Sequence, residues 1–163
     1  SRPRASTIEF HLPKAAKRSG LTQALGRMSV AMQLSALEAT HNAYDVFVFT
    51  LEALASPAER QCELMGDYNT AWELRDDALA ARYLIGSGLF TDHQEAELLK
   101  FIAAVDPISV NNMPSGSGRT VNLAAMQDPV WESIRSQAQQ LLCTLAPVTA
   151  ANQAYLESLK SAP

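Results

Sequence analysis

The sequence contains little that would hold a small fold together through covalent bonds or a metal. Its 163 residues include two cysteines, Cys62 and Cys143, and three histidines. Two distant cysteines cannot form a disulfide framework, and we expect both thiols to lie in the core of a cytoplasmic protein. A chain of this length buries a sufficient hydrophobic core unaided. We therefore expect neither a metal nor a cofactor.

Long apolar runs are also missing. No run approaches the roughly 18 residues that span a bilayer, and we expect no signal peptide in residues 1–20, because they lack an apolar segment followed by a small-residue cleavage site. The sequence thus predicts a soluble protein with no membrane partner. Charged residues make up 18 % of the chain, whereas apolar residues make up 47 %. So few charges leave apolar surface for a protein partner or a second copy of the chain to cover, and we expect a homodimer.

Recognisable catalytic motifs are absent too. The chain has no Gly-x-Ser-x-Gly, no glycine-rich nucleotide fingerprint, and no cysteine with a plausibly placed histidine. Glu38 and His41 have the Glu-x-x-His spacing of dimetal bundles, where the motif occurs twice, but here it occurs once. A packed, hydrogen-bonded histidine is the favoured interpretation. The sequence therefore assigns no catalytic residues and favours a protein without enzymatic activity.

Charge divides the chain into two predicted parts, an arm at residues 1–20 and a single helical domain at residues 21–163. The arm has five basic residues and one acidic residue, so the rest of the chain is acidic. Ile8, Phe10 and Leu12 alternate with polar residues, which is a short strand pattern. An acidic domain argues against binding of nucleic acid, except through the basic arm.

Apolar periodicity predicts an all-α fold, an antiparallel bundle of about five helices. Residues 21–55 form one long helix or two consecutive ones in this interpretation. Ser56 and Glu59 suggest a capping box for a helix at 56–85, and Thr91 and Gln94 suggest one for a helix at 92–105. A fourth helix follows Asp128, and Pro147 is expected to end it and start a fifth.

Residues 106–127 interrupt the helical pattern with prolines, glycines and asparagines. The sequence predicts a long loop here, or a small hairpin that pairs residues 108–110 with residues 120–123. A connection of this length is unusual in a compact domain and is often functional.

Four residues are candidates for a ligand site between the second helix and this loop. Ser117 and Arg119 offer a hydroxyl and a guanidinium at the loop tip, a chemistry that suits a phosphate or carboxylate. Arg75 and Arg82 fall on or beside the apolar face of the second helix, where an arginine binds an anion or pairs with an acid on a neighbouring helix.

Two functions follow as hypotheses. The first is a non-enzymatic protein-interaction or regulatory module that works by self-association or by binding another protein. The alternative is a small enzyme or ligand-binding protein whose anion site comprises Arg75, Arg82, Arg119 and Ser117.

Overall fold

The computed structural model describes residues 16–162, with the side chains of residues 23–33 and 35–162. It has six α-helices and two short 3-10 helices. The α-helices are α1 Ala16–Ala55, α2 Ala58–Met65, α3 Thr70–Ala80, α4 Asp92–Val105, α5 Arg119–Met126 and α6 Val130–Lys160. No strand occurs in this part of the chain, which confirms the all-α prediction. The predicted strand in the basic arm lies outside the described residues.

The chain divides after Leu37 into two units, residues 1–37 and residues 38–163. The described part of the first unit is the beginning of α1, which starts at Ala16, within the predicted arm. The second unit contains the rest of α1 and all later helices. No helix within residues 16–162 combines the length and the apolar character needed to cross a membrane.

The hydrophobic core of the second unit draws on every α-helix in it. Its largest fully buried apolar side chains are Tyr44, Leu51, Leu54, Leu74, Leu98, Met126, Trp131 and Leu145. On α1, Tyr44, Val48 and Leu51 recur at helical spacing and are all buried. The capping box predicted at the start of α4 is present, because the Thr91 hydroxyl accepts from the Gln94 amide and Gln94 reaches back to the Thr91 amide.

The predicted helix at 56–85 is wrong in one respect, because it is broken into α2, α3 and a 3-10 turn at Ala81–Leu84. Gly66 ends α2 with a left-handed φ of 76°, a conformation that favours glycine. Asp67 and Asn69 also have positive φ, and both residue types tolerate that region better than most. These conformations end α2 and form the turn that precedes α3.

The capping role predicted for Ser56 is also wrong. Its hydroxyl donates to the Glu52 carbonyl at 2.7 Å, four residues back on α1. Pro57 precedes α2 instead and makes no side-chain cap. Serine hydroxyls commonly donate to a carbonyl four residues back, and this bond orients the Ser56 side chain toward α1.

The predicted hairpin within residues 106–127 does not form. Residues 110–112 make a 3-10 turn, and residues 119–126 form α5. Among the described residues, the single β-type pairing joins Ser117 to Tyr68 rather than to another part of the same loop. Side chains of the α2–α3 turn hold the loop tip: Asn69 Oδ1 accepts from the Gly116 amide, and Asp67 accepts from Arg119.

The prediction that Pro147 separates two helices is wrong, since α6 runs from Val130 to Lys160 with Pro147 inside it. A proline there removes one helical hydrogen bond, to the carbonyl of Cys143. Pro147 and Cys143 are both exposed, so water can bond that carbonyl and the helix tolerates the loss.

Candidate interaction surface

Residues 23–37 of α1, here called the exposed stretch, show an unusual number of apolar side chains to solvent. Leu25, Met28 and Met32 are 59 %, 62 % and 71 % exposed, and Val30 and Leu37 are 55 % and 42 % exposed. Leu25, Met28 and Met32 fall on one helical face because their spacing is three and then four residues. A single helix of this length is marginal in water by itself. A partner that covers this face would stabilise it.

A second apolar surface lies within the other unit, between α1 and the α3 region. This α1–α3 groove has a volume of about 440 Å³. Its residues are Ala39, Thr40, Ala43, Val46 and Phe47 on α1, with Asp77, Ala80, Ala81, Tyr83 and Leu84 opposite. Val46 is 62 % exposed and Tyr83 is 84 % exposed. Alanines on both walls leave room for large side chains from another molecule.

Asp77 is the one carboxylate in this groove. Partial burial raises the pKa of its carboxyl group, and the nearby negative charges of Glu73 and Asp76 raise the pKa further. The ionised form is therefore less favourable in the folded protein than in the unfolded chain. A cation or an apolar neighbour brought into the groove would act on this group directly.

We expect Asp77→Asn to raise the free energy of unfolding at neutral pH, and with it the melting temperature. The gain should be less than about 1 kcal/mol, because the group is largely exposed. A raised pKa in the folded state adds stability at low pH, and that stability is lost as the pH rises through the raised value. The gain should therefore shrink as the pH falls toward the ordinary carboxyl value of 3.8. Thermal melts across this pH range, with exposed Glu52→Gln as control, measure it. A gain that is independent of pH would contradict the electrostatic cause.

Two of the four predicted ligand residues, Ser117 and Arg119, lie in a network that joins the loop tip to the α2–α3 turn. Arg119 donates through Nε and Nη2 to the two carboxylate oxygens of Asp67, at 2.6 and 3.1 Å. These hydrogen bonds raise the pKa of the guanidinium. Ser117 is exposed and pairs with Tyr68. An anionic ligand at Arg119 would have to displace Asp67.

Arg75 and Arg82, the other two predicted residues, have separate partners. Arg75 Nη2 donates to the Asp106 backbone carbonyl at 2.5 Å and lies 3.8 Å from its carboxylate Oδ1. Arg82 is exposed, and its Nε donates to the Leu79 carbonyl at 2.9 Å. Arg75 thus links α3 to the end of α4, while Arg82, in the 3-10 turn, bonds the last turn of α3. An anion site made of all four residues stays a prediction.

A smaller cavity, of about 300 Å³, lies between the start of α3 and residues 110–115 of the loop before α5. It is lined by Asn69, Ala71, Trp72, Val110, Asn111, Pro114 and Ser115. Trp72 is 52 % exposed, so an aromatic face and two amide side chains are available to a ligand. None of the four predicted residues is among those that line it.

His41 has the environment of a packed histidine. Its Nδ1 lies 2.7 Å from Asn152 Oδ1, and its ring stacks on Tyr155 with centroids 3.8 Å apart. Both partners lie on α6, so the imidazole joins α1 to α6. No group of three or more potential metal ligands occurs within the described residues.

The two cysteines differ in environment. Cys62 is fully buried, and burial, followed by the charge of Asp67, raises the pKa of its thiol. Cys143 is exposed on α6, so the expectation that both thiols lie in the core is wrong for Cys143. It occupies a solvent-facing position of a long amphipathic helix, where a small side chain needs no core contact.

The α1–α3 groove has no counterpart among the sequence predictions. Ala39, Ala43 and Ala80 are small residues at exposed positions, and Tyr83 is a large exposed aromatic beside them.

Comparisons with protein-family models, with curated proteins and with solved structures found no match to this chain.

Proposed function

We propose that this protein is a non-enzymatic interaction module that binds protein through the exposed stretch of α1. The observation that carries the proposal is the apolar face of Leu25, Met28 and Met32, each more than half exposed. Isolated exposed apolar residues are ordinary, but a contiguous face of this kind marks an interaction site. Self-association is the simplest mode, since the same chain supplies a second apolar surface.

The composition of the stretch supports binding to an acidic partner surface. The exposed stretch contains one basic residue, Arg27, and no acidic residue, and Lys17 and Arg18 precede it on α1, whereas the chain as a whole is acidic. Methionine side chains adapt to irregular apolar surfaces and are common at binding faces. A basic, methionine-bearing helix therefore suits an acidic protein with an apolar groove.

The test replaces the apolar face with serine, as Leu25→Ser, Met28→Ser and Met32→Ser together. We expect this triple variant to keep the fold of residues 38–163, because its positions are exposed, and to lose self-association or protein capture by at least about tenfold. Sedimentation analysis of purified protein and affinity capture from lysate, read together, measure this.

A matched control carries Leu99→Ser, Val130→Ser and Leu159→Ser. These three apolar residues are also exposed, at 49 %, 39 % and 39 %, but they lie on α4 and α6. The control should associate like the unmodified protein. A protein that stays monomeric at every concentration and captures nothing, or equal loss in both triple variants, would overturn the proposed function.

A second candidate function, binding of a small polar ligand, is favoured by the 300 Å³ cavity beside Trp72. Its volume is at the lower end of ligand pockets, and its lining combines an aromatic ring with amides. Trp72→Ala should then abolish ligand-induced changes in tryptophan fluorescence or melting temperature across a small-molecule library. Ligand-induced shifts in melting temperature that persist in the variant would contradict this site.

A further inference from the structure

The α1–α3 groove combines apolar walls with a single charged group. Both walls belong to residues 38–163, so the groove lies within one unit of the chain. Alanines make up four of its ten lining residues, and Asp77 is the one that carries a charge. A ligand that fills this groove must therefore match an apolar surface with one negative point on it.

The Asp77 carboxylate has no cationic partner in the groove. None of the ion pairs within the part of the chain that the structure describes includes Asp77, and none of the ten lining residues is basic. Partial burial, followed by the charges of Glu73 and Asp76, raises the pKa of the carboxyl group. Its ionised form thus lacks the compensation that an adjacent cation would supply.

Tyr83 adds an aromatic ring to the same groove. Among the described residues it is the most exposed large apolar side chain, and Val46 on the other wall is also exposed. The face of an aromatic ring attracts a cation through its quadrupole. Exposed apolar side chains on both walls also gain free energy when an aliphatic ligand covers them.

The size of the groove favours a small molecule over a protein segment. A volume of about 440 Å³ lies within the range of small-molecule pockets. Ten residues line the groove, whereas a stable protein interface takes about 20–30 residues a side. The occupant that matches the groove is therefore a compact molecule.

We propose that the α1–α3 groove binds a small aliphatic amine, with the ammonium group paired to the Asp77 carboxylate and the carbon chain between the apolar walls. This site lies outside the exposed stretch and goes beyond the proposed function. A carboxylate or phosphate ligand would be repelled by Asp77. A neutral apolar ligand would remove more water from that carboxylate without pairing it, so it should bind less tightly than the amine.

Three probes with the same eight-carbon chain test the charge preference: n-octylamine, 1-octanol and octanoate. Nuclear magnetic resonance titrations follow the backbone amides of residues 39–47 and 77–84. We expect octylamine to bind about fivefold more tightly than octanol, a modest ratio because Asp77 is partly exposed. Octanoate should bind most weakly. Butylamine should bind more weakly than octylamine, because each buried methylene raises affinity about threefold.

Asp77→Asn isolates the carboxylate. This variant should bind octanol about as tightly as before and lose the preference for octylamine. Asp76→Asn is the matched control, since it removes the same charge from the adjacent residue of α3, which does not line the groove. The control should keep the preference. Equal loss in the two variants would overturn the inference, because it would show a diffuse effect of negative charge.

A change of groove volume gives an independent measurement. Ala43→Leu fills part of the groove and should weaken octylamine and octanol alike, by about tenfold. Ala103→Leu, at an exposed alanine of α4, should change neither. Both alanines are exposed helical residues, so we expect both variants to fold, and their melting temperatures check this. Octylamine affinity that Ala43→Leu leaves unchanged would overturn the groove as the site.

The remaining outcomes also decide the matter. No saturable shifts with octylamine up to about 5 mM, equal affinity for all three probes, or shifts confined to residues outside the groove would each overturn the inference. The Leu25, Met28 and Met32 serine variant should bind octylamine like the unmodified protein. Loss of self-association with intact amine binding, or the reverse, therefore distinguishes failure of the proposed function from failure of this site.

Discussion

Replacing Asn122 by aspartate is expected to lower the free energy of unfolding by about 3 kcal/mol or more, because a buried donor becomes an acceptor. Asn122 is fully buried. Its Nδ2 donates to the carbonyls of Asp67, Gly116 and Gly118 at 2.8, 2.9 and 2.8 Å. Its Oδ1 accepts from the Thr70 amide at 2.7 Å. One side chain therefore holds the α2–α3 turn and the loop before α5 together.

Aspartate has nearly the same shape but would direct an oxygen at three carbonyl oxygens. The backbone bonds from Asn69 to Gly116 and from Gly118 to Asp67 depend on the same register of the two segments. A buried carboxyl group is less unfavourable when it is protonated. The loss of unfolding free energy in Asn122→Asp should therefore be larger at neutral than at mildly acidic pH. Denaturant unfolding at two pH values measures both effects.

Asn112→Asp is the matched control. Asn112 is exposed, and its Nδ2 donates to the Ser109 hydroxyl alone, at 2.9 Å. Its substitution should cost less than about 1 kcal/mol. If Asn122→Asp is no more destabilising than this control, the two segments are not held together by Asn122.

Gln61→Leu is expected to lower the free energy of unfolding by about 2–3 kcal/mol, because it leaves buried polar partners unpaired. Gln61 is fully buried between helices. Its Nε2 donates to the Leu54 carbonyl at 3.0 Å, and its Oε1 accepts from Arg135 Nη2 at 3.2 Å. Arg135 also donates to the Met126 carbonyl. This chain of bonds connects α1, α2 and α6 with the end of α5.

Leucine would match the volume of Gln61 but would leave the Leu54 carbonyl and part of the Arg135 guanidinium without a partner. Burying a charged group whose partner has been removed is costlier than losing a neutral hydrogen bond. Gln139→Leu serves as control, because Gln139 is exposed and also donates to a helix-end carbonyl, that of Ala55, at 3.2 Å. Unfolding curves that coincide for the two variants would contradict the proposed importance of the buried chain.

Local signals in the sequence predicted some elements well. Thr91 and Gln94 form their capping box because both partners lie within one turn and need no other part of the chain. The sequence prediction omits the break after Met65, although Gly66 marks it, because Leu64, Tyr68 and Trp72 continue past it at a spacing of four residues. Local periodicity cannot distinguish one long helix from two whose faces happen to align.

Other features depended on contacts that the sequence does not reveal. Ser56 and Glu59 have the spacing of a capping box, yet the Ser56 hydroxyl bonds the helix before it. Pro147 stands within α6 because its side of the helix faces solvent, which follows from the packing of α6 and not from the proline itself.

The candidate ligand residues show the same limit. Arg119 was singled out for its chemistry, but its partner Asp67 is 52 residues away in sequence. The α1–α3 groove joins residues 39–47 to residues 77–84, and the alanines within each segment do not indicate that the other segment lies opposite. Exposure of Leu25, Met28 and Met32 was equally hidden, because their periodicity is that of a core helix.

Hydrogen exchange along α1, followed at high and low protein concentration, tests most directly whether residues 23–37 form a protein-binding surface. We predict slow exchange of these amides when the protein is concentrated, loss of that protection on dilution, and fast exchange at both concentrations in the Leu25, Met28 and Met32 serine variant. Residues 44–54, which are part of the core, should stay protected throughout. Exchange in residues 23–37 that is independent of concentration, and unchanged by the three serines, would contradict self-association through this stretch.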